Sequence, residues 1–566
     1  MITLASTTNL MPGNRAWQPL ANEGELHFAE FGHWGQVLEA KAESASPEQI
    51  VLIWIWEDLI SQELLDGWRE LADEDRRQAM YDFCEILLVS VTRRLKARPQ
   101  DAVLLGAVSV APQHVFSSVE TPGLMVELQQ ALRWQVQQAQ QRHSSLHWLN
   151  LQGWLTEQGR TNCFDARNRY FASCRFSMKG LASLALWIQP LLHRLKEPAR
   201  KVLVLDADNT LWGGVIGEDG LTGLQLGQDG LGRAYQDFQQ VALGWQRRGV
   251  LLALASKNEE ADVWRVFDAH AGMILLKEQI SAAAIGWQPK SESLKALAAR
   301  LNLGLEAFVF WDDNPAEREE VRANTPEVLV VEPPAGVWDW PQALHSMSEF
   351  AQVRYTREDQ GRQASYQGLK AAEALKAAQA AEGGETGGSG FLKQLAMIAE
   401  FAPVAEDSRA RAAQLCQKTN QFHLSLRRHD TGDLEAIEAQ GGQVWMASLK
   451  DRFANHGQVA VAVVRPAGEG IAYLDTLAIS CRVLGRQFEH WVMQQLAKVL
   501  SANAVTTLVV GVVTGERNTP AREFVASLPV VAFTGTLPAI PLLEGEQRYS
   551  LSVETLSQLR FDEVID

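Results

Sequence analysis

Hydrophobic and polar positions in the first 200 residues follow two alternating patterns. Short apolar runs predict strands, at Ile2–Ser6, Val51–Trp56, Val103–Val110 and Leu146–Leu151. Two longer stretches, Ile60–Leu95 and Leu124–Arg142, carry the periodicity of helices. Strands that alternate with helices in this way are typical of a doubly wound α/β domain.

The same alternation returns after residue 200 and predicts a second α/β block with a parallel sheet. Its apolar runs predict strands at Val202–Leu205, Val250–Ala255, Met273–Leu276, Phe308–Trp311 and Val328–Val331. A polar, alanine-rich stretch follows and ends in the glycine-rich run Glu382–Gly390, which is the composition of a linker.

A third block after the linker contains the predicted strands Val459–Val464, Ala472–Leu477 and Thr507–Val513. We therefore predict an α/β protein of three domains, at residues 1–195, 196–345 and 391–566. A helical linker is predicted at residues 346–390.

Composition and charge narrow the classes of function. The net charge of −16 disfavours a nucleic-acid-binding surface. The longest apolar run, Ile50–Trp56, is too short to cross a bilayer, and the first residues lack the pattern of a signal peptide. The 5 cysteines form no Cys-x-x-Cys pair, so no disulfide framework or zinc site is predicted. We expect a cytoplasmic protein without nucleic-acid or membrane partners.

Two carboxylates directly follow the strand Val202–Leu205. Asp206 and Asp208 are two residues apart, so an extended backbone directs both side chains the same way. Such a pair is costly unless a cation or a shared proton compensates it. Mg²⁺ prefers carboxylate and phosphate oxygens, so the pair predicts a Mg²⁺-dependent phosphoryl-transfer site.

Further polar residues follow the later elements in the order Ser256, Lys257 and Asn258, then Lys290, then Asp312 and Asp313. With the Asp-x-Asp-x-Thr pattern that ends at Thr210, this order resembles the motifs of the haloacid dehalogenase (HAD) phosphotransferases. The resemblance implies that Asp206 is the nucleophile that forms an aspartyl-phosphate. It also implies that Asp208 is a general acid/base whose backbone carbonyl contacts the metal.

The remaining site roles follow from the same resemblance. Asp312 and Asp313 would complete the Mg²⁺ site with Asp206 and Asp208, and Lys290 would neutralise the attacking carboxylate. The predicted phosphoryl contacts are Thr210, Ser256, Lys257 and Asn258. For Lys257, a solvent-facing lysine is the competing interpretation. About fifty residues separate Asp206 from Ser256, too few for a folded cap, so we expect an open site that suits a carried substrate.

The third block carries a cysteine with unusual neighbours. Cys481 lies between a strand and a helix, beside Arg482, and both surroundings favour a thiolate. The run from Arg482 through Gly485 resembles the pyrophosphate loop of GNAT-type acyltransferases, although Gln487 replaces the usual final glycine or alanine. A buried structural cysteine is the competing interpretation.

Together these features resemble the FkbH-like glyceryl transferase/phosphatases of HAD subfamily IIIC. The resembling stretches are Val204–Gly220, Asp312–Arg318, Gln417–Phe422, Asp451–Phe453 and Ser480–Arg486. The resemblance implies that a thiol attacks 1,3-bisphosphoglycerate and that the remaining phosphate is removed. The glyceryl group would then pass to the phosphopantetheine of an acyl carrier protein in polyketide biosynthesis. Cys481, Arg482, Gly485, Arg486 and Asn518 would serve the acyl and pantetheine groups.

The sequence departs from this family at several positions. Family members often carry a cysteine just before Ser-Lys-Asn, and this position is Ala255 here. If that thiol is the glyceryl acceptor in the family, Cys481 has to take its role in this chain. The Asn that usually follows Gln-Phe is replaced by His423. The first domain resembles an SGNH-like module without a working triad, because Ser6 lies outside a Gly-Asp-Ser motif and Asn168 replaces the His of Asp-x-x-His. We expect this module to be noncatalytic.

Two other functions compete with the carrier-protein transferase. The first is a small-molecule HAD phosphatase fused to a CoA-dependent N-acyltransferase. The second is a scaffold that retains inactive domains for binding, which the intact HAD motifs disfavour.

Overall fold

The computed structural model describes residues 1–39, 46–111, 121–351, 395–452, 454–484, 486–515, 518–537 and 540–558. They form two compact units, residues 1–197 with 430–435, and residues 198–429 with the part from 436 on. The domain boundaries predicted at residues 195, 345 and 390 stay predictions. Most of the predicted linker, from residue 352 on, lies outside the described residues.

The first unit contains a parallel sheet. Its strands are β1 (Ile2–Ser6), β2 (Leu26–Phe28), β3 (Gln49–Ile55), β4 (Ala102–Val108) and β5 (Leu146–Trp148). Their order across the sheet is β2-β1-β3-β4-β5, and each pair is parallel. The central strands β3 and β4 are buried almost throughout, which explains their continuous apolar sequences.

Helices cover both faces of this sheet. They are α1 (Gln18–Ala21), α2 (Trp34–Glu39), α3 (Trp56–Leu59), α4 (Gln62–Glu70), α5 (Asp73–Ala97), α6 (Thr121–Arg142), α7 (Leu151–Gln158), α8 (Arg160–Cys163), α9 (Ala166–Ala172) and α10 (Met178–Lys196). One apolar core includes residues of α5 and α6, and another, on the opposite face, includes residues of α10. The stretch predicted as one helix from Ile60 is divided because Leu71 and Ala72 have extended backbones.

The second unit begins with another parallel sheet. Its strands are β6 (Val202–Leu205), β7 (Leu251–Ser256), β8 (Ile280–Ile285), β9 (Phe308–Trp311) and β10 (Leu329–Val330). The order β10-β9-β6-β7-β8 brings the carboxyl ends of β9, β6 and β7 together at one edge. The accompanying helices are α11 (Ile216–Gly223), α12 (Gly230–Arg247), α13 (Glu260–Ala269), α14 (Lys290–Leu301), α15 (Pro315–Asn324) and α16 (Trp340–His345).

The strand predicted at Met273–Leu276 is wrong. The backbone N–H groups of Ile274 and Leu275 donate to the Gln239 side-chain oxygen, at 2.9 and 3.0 Å, instead of to a neighbouring strand. The sheet takes its edge strand from β8 instead.

A third, mainly antiparallel sheet completes the second unit. Its strands are β11 (Ile398–Pro403), β12 (Gln443–Lys450), β13 (Asn455–Gly468), β14 (Ile471–Ile479), β15 (Thr507–Val513), β16 (Val531–Ala532) and β17 (Glu546–Ser552), in the order β11-β12-β13-β14-β15-β17-β16. The helices of this region are α17 (Arg409–Lys418), α18 (Thr431–Ala439), α19 (Phe488–Ala502), α20 (Thr519–Ser527) and α21 (Val553–Gln558).

Strands β14 and β15 form the parallel pair of this sheet, and they separate part-way along. Their pairing ends at Leu474 and Val510, although both strands continue. The segment Phe422–Leu424 lies between the separated halves. Ile479 N–H donates to Phe422 O at 2.9 Å, and Val513 N–H donates to Leu424 O at 3.0 Å. The chain therefore fills the opening in its own sheet.

Candidate functional site

Polar side chains converge at the carboxyl edge of the second parallel sheet. Asp206 follows β6, Ser256 ends β7, and Asp312 and Asp313 follow β9. Lys290 begins α14, the helix that follows β8. Because β9, β6 and β7 are neighbours, the fold brings together groups that are far apart in sequence.

The Lys290 ammonium group contacts several of the polar groups at this edge. Its Nζ lies 2.6 Å from Asp206 Oδ1, 3.0 Å from Asp312 Oδ2 and 2.6 Å from the Ala255 carbonyl oxygen. The side chain is 2% exposed. Burial alone would lower the pKa of Lys290, but the two carboxylates outweigh it and the pKa is raised. The ammonium group therefore stays charged between the two acids.

Asp206, Asp312 and Asp313 form a compact carboxylate cluster. One oxygen from each lies within 4.8 Å of the others. Burial and the neighbouring carboxylates raise the pKa of Asp312, although Lys290 opposes the shift. The same two causes raise the pKa of Asp313 to about 6. A site of three crowded oxygen ligands fits a hard divalent cation, which would relieve their repulsion.

Asp208 lies outside this cluster, in a setting that suits proton transfer. Its Oδ1 accepts hydrogen bonds from Trp212 Nε1 at 2.9 Å and Ile216 N at 3.0 Å, and its Oδ2 accepts one from Asn258 Nδ2 at 2.7 Å. Burial raises the pKa of Asp208 despite these donors. With its carboxylate engaged in this way, Asp208 would reach the metal through its backbone carbonyl, as the resemblance implies.

We expect Asn258→Ala to slow turnover by about tenfold to a hundredfold, because Asp208, the predicted general acid, loses a donor that orients its carboxylate. The substitution removes one donor from the Asp208 carboxylate, so the pKa of Asp208 should rise further. Because a general acid must be protonated to act, a pH profile of kcat should show its alkaline limb moved to higher pH, with KM little changed. A large rise in KM with an unchanged kcat would instead identify Asn258 as a phosphate-binding residue.

The other predicted phosphoryl contacts occupy different settings. Thr210 is buried, and its Oγ1 donates to Asp313 Oδ1 at 3.4 Å. Ser256 is buried at the end of β7. Lys257 Nζ is paired with Glu317 Oε1 at 2.7 Å, so a phosphate contact would require Lys257 to leave this partner. The roles of these three residues stay predictions.

Cys481 and Arg482 line a cavity of about 610 Å³ within the second unit. Cys481 is partly exposed, whereas Cys84, Cys163, Cys174 and Cys416 are buried. Arg482 Nε donates to Ser480 Oγ at 3.2 Å. A thiol that borders a cavity is accessible to a ligand, which the other four cysteines are not.

The remaining predicted pantetheine contacts are engaged by the protein itself. Arg486 is buried in an ion pair with Asp451 and lies 2.9 Å from His456 Nε2. The Asn518 amide donates to the carbonyl oxygens of Val513 and His423, at 2.7 and 3.1 Å. Direct ligand contact through the Asn518 amide nitrogen would require it to give up these bonds, whereas Nη2 of Arg486 is buried without a hydrogen-bond partner among the described residues. Gly485 lies outside the described residues.

Two features of this region are absent from the sequence prediction. One is the insertion of Phe422–Leu424 between β14 and β15. The other is a buried ion network in which Asp475 pairs with His429 at 2.5 Å and with Arg465 at 3.0 Å. Asp475 is the residue that bulges from β14 opposite the Val463–Val464 step. The charge of Asp475 within the predicted strand Ala472–Leu477 was the signal that could have indicated this network.

No family model matches the chain, and no curated protein matches it. Among solved structures, the N-terminal part of the protein BF1531 from Bacteroides fragilis, containing a phosphatase domain complexed with Mg, is 22% identical. The match covers 62% of this chain and 94% of that chain, with a TM-score of 0.50. These chains share a fold.

Two acetyltransferases are similar over a shorter part of the chain. A GNAT-family acetyltransferase from Staphylococcus aureus is 12% identical, covering 27% of this chain and 99% of that one, with a TM-score of 0.23. The ribosomal-protein-S18-alanine N-acetyltransferase from Escherichia coli is 14% identical, covering 28% and 94%, with a TM-score of 0.22.

The first unit shows how its candidate hydroxyl groups are used. Ser6 Oγ donates to Ile53 O at 2.6 Å, and Thr8 Oγ1 donates to Ser173 O at 3.0 Å. Asn168, at the position where a histidine would complete a triad, donates to Phe176 O at 2.9 Å. Each of these side chains is therefore bonded to a backbone carbonyl oxygen. The noncatalytic role of this unit stays a prediction. Among the described residues, no helix is both long and apolar enough to span a membrane.

Proposed function

We propose that this chain is a Mg²⁺-dependent phosphatase joined to an acyltransferase, and that it acts on 1,3-bisphosphoglycerate and a phosphopantetheine-bearing acyl carrier protein. The observation that carries the proposal is the buried Lys290 ammonium between Asp206 and Asp312. A charged lysine between two carboxylates at the ends of adjacent parallel strands is an arrangement suited to phosphoryl transfer. The shared fold with a phosphatase-containing structure supports the same chemistry.

In the phosphoryl step, Asp206 attacks phosphorus and forms an aspartyl-phosphate while the bond to the leaving oxygen breaks. Asp208 gives its proton to that oxygen and then takes one from the water that releases phosphate. Lys290 holds the Asp206 carboxylate in place and offsets negative charge in both steps. When bound, Mg²⁺ would neutralise charge on the phosphoryl oxygens.

In the acyl step, the Cys481 thiolate attacks the acyl carbon of 1,3-bisphosphoglycerate. A carbon–sulfur bond forms, the carbon–oxygen bond to phosphate breaks, and inorganic phosphate leaves with the electron pair. A pantetheine thiolate then attacks the thioester, and Cys481 leaves as its thiolate. The acyl group thereby reaches the carrier without an external oxidant or reductant.

The separation of the two sites favours one order of steps. Lys201, which borders the cavity of Cys481, precedes β6, whereas Asp206 follows it. About 16 Å of strand lies between them at the usual rise per residue. A glyceryl group bound to Cys481 is too short to cover this distance. We therefore expect transfer to the mobile pantetheine arm to precede removal of the remaining phosphate.

Incubation with 1,3-bisphosphoglycerate should add a phosphoglyceryl group to the intact protein, as measured by mass spectrometry. The experiment uses the Asp206→Asn variant, so that the phosphatase site does not consume the free substrate before Cys481 reacts. A further Cys481→Ala substitution should abolish the adduct because no other described thiol borders the cavity. The matched control is Cys416→Ala, which removes a buried thiol from the same unit and should leave the adduct intact.

Release of phosphate without any thiol adduct would contradict the proposed acyl step. Transfer of an acetyl group from acetyl-CoA to an amine would then favour a phosphatase fused to an N-acyltransferase.

A further inference from the structure

The cavity beside Cys481 has two walls from distant parts of the second unit. One wall contains the last turns of α14 and the residues that lead into β9. The other contains α17, the residues that follow it, and the turn that bears Cys481. Its volume of about 610 Å³ lies in the range of sites that enclose a cofactor arm or a drug-sized ligand. A phosphorylated three-carbon acid would fill only a part of it.

The charges around this cavity favour an anion. Basic side chains dominate its lining, namely Lys201, Lys295, Arg411, Lys418 and Arg482. Of these, Lys295 is paired with Glu292, and Arg411 donates to the Gln458 carbonyl oxygen. The acidic residue in the lining is Glu306. This balance is opposite to that of the whole protein, whose net charge is −16. Arg411 and Arg482 are more than nine-tenths buried, so their charges act where water screens them little.

The uncharged lining suits a chain of amide groups. Asn302, Gln414, Asn420 and Gln421 bring carboxamides to the walls, and Thr419 and Ser480 bring hydroxyls. A carboxamide donates through its nitrogen and accepts through its oxygen, so these groups match the donors and acceptors of peptide-like bonds. The cavity therefore combines cations, amide-binding groups and a thiol.

The opening between β14 and β15 is the other place where an extended arm could pair with the sheet. That opening is occupied, because Phe422 and Leu424 bond to the two strands through their backbones. The amide of Asn518 further fixes the segment by donating to His423 O at 3.1 Å. An arm that entered there would have to displace all three bonds.

We propose that the cavity beside Cys481, and not the opening between β14 and β15, receives the phosphopantetheine arm. The phosphate lies among the basic side chains and the arm thiol reaches Cys481. This assignment rests on the proposed acyl transfer to a carrier, and it adds the location of the arm and the residues that recognise its charge. The arm then binds between the phosphatase sheet and the third sheet, within reach of groups from both.

Disulfide trapping of the full chain tests this location. The probes are the 2-pyridyl disulfides of phosphopantetheine and of unphosphorylated pantetheine. The Cys481 thiolate attacks the pantetheine sulfur, the old sulfur–sulfur bond breaks, and pyridine-2-thione leaves and is measured by its absorbance. We expect the phosphorylated probe to label Cys481 about tenfold faster, since charge-assisted contacts of its phosphate are lost in the other probe.

A charge reversal in the cavity provides the second comparison. Lys418→Glu should remove the preference for the phosphorylated probe, whereas the matched control Lys498→Glu, an exposed position on α19, should retain it. Equal labelling by both probes in the unmodified chain, or a preference that survives Lys418→Glu, would overturn the proposal. If Lys418→Glu does not fold, the S-methyl thioether of phosphopantetheine should still protect Cys481 of the unmodified chain from iodoacetamide. Protection no better than that by inorganic phosphate would overturn the proposal equally.

Together with the mass measurement of the adduct, disulfide trapping distinguishes failure of the proposed function from failure of the proposed location of the arm. Trapping requires neither the phosphatase site nor a particular acyl group, so selective trapping without a phosphoglyceryl adduct would refute the proposed function alone. An adduct on Cys481 without selective trapping would refute the location of the arm alone. A CoA 2-pyridyl disulfide distinguishes the source, because faster labelling than by the phosphopantetheine probe would indicate that the nucleotide of free CoA is also bound.

Discussion

Without a carrier protein, Asp206→Asn should abolish the continued release of phosphate, beyond the single phosphate that acylation of Cys481 sets free, while leaving the protein folded. The substitution replaces the attacking oxyanion with a neutral amide, which cannot form the acyl-phosphate intermediate. We expect kcat to fall by at least about 10⁴-fold, the size of loss seen when a catalytic nucleophile is removed. Steady-state phosphate release measures this loss, and a thermal unfolding curve verifies the fold. The introduced carboxamide would still accept a hydrogen bond from Lys290, whose second carboxylate partner, Asp312, remains.

The matched control is Asp268→Asn, which makes the same change at an exposed position on α13. It should retain full activity. If Asp206→Asn kept more than a few per cent of the activity of the unmodified enzyme, another group would have to be the nucleophile. Incubation of the Asp206→Asn variant with acyl phosphate should still label Cys481, because the two sites lie at opposite edges of the sheet.

Lys290→Met should destabilise the second unit strongly as well as abolish phosphatase activity. The lysine is almost fully buried against two carboxylates, and its removal leaves both without a positive partner. Loss of one partner from a buried ion pair costs about 3–5 kcal/mol of the free energy of unfolding. Urea denaturation in the presence of EDTA measures this cost. Because Mg²⁺ would bind the same carboxylates, we expect its addition to restore part of the lost stability.

Lys295→Met provides a stability control from the same helix. Lys295 is about half exposed and pairs with Glu292 at 2.8 Å, so its removal should change the free energy of unfolding by about 1 kcal/mol or less. A similarly small effect of Lys290→Met in EDTA would mean that the buried ammonium does not stabilise the carboxylate cluster. A loss that Mg²⁺ leaves unchanged would contradict cation binding at this edge.

The sequence pattern predicts those strands whose composition differs most from that of helices. The run Phe308–Trp311 predicts β9 with the bounds observed, and Ile2–Ser6 does so for β1. The edge strand β8 is not predicted, because three of its six residues are alanines, which favour helices. The apolar Met273–Leu276 resembles a strand, but a side-chain amide of Gln239 satisfies its backbone, and this contact between distant residues leaves no periodic signal.

For the candidate site, the parallel sheet explains which residues could be predicted to lie at the same edge. Carboxyl ends of parallel strands share an edge, so the strand pattern predicts that Asp206 and Asp312 lie at the same edge. Their proximity is implied only by the resemblance to the HAD motifs, because the sequence does not show that β9 is next to β6. Pairings with side chains of the loops and helices do not follow from the strand pattern. Glu317 reaches Lys257 from α15, and Asn258 reaches Asp208, only once the backbone is placed. The insertion of Phe422–Leu424 could not be predicted from the sequence pattern either, because its backbone hydrogen bonds join residues about 55 to 90 positions apart.

Helix α14 touches both centres of this unit. It begins with Lys290 in the ion cluster, and its C-cap, Asn302, lines the cavity beside Cys481. Its 12 residues form a rod of about 18 Å, and a shift of one end moves the other. A ligand that displaces this rod would change the distance from Lys290 to the aspartates. By thermodynamic linkage, a cation among those aspartates would alter the affinity of the cavity by the same factor. Binding at the proposed phosphatase site would then change binding at the proposed acyl site, and the reverse, without any intermediate passing between them.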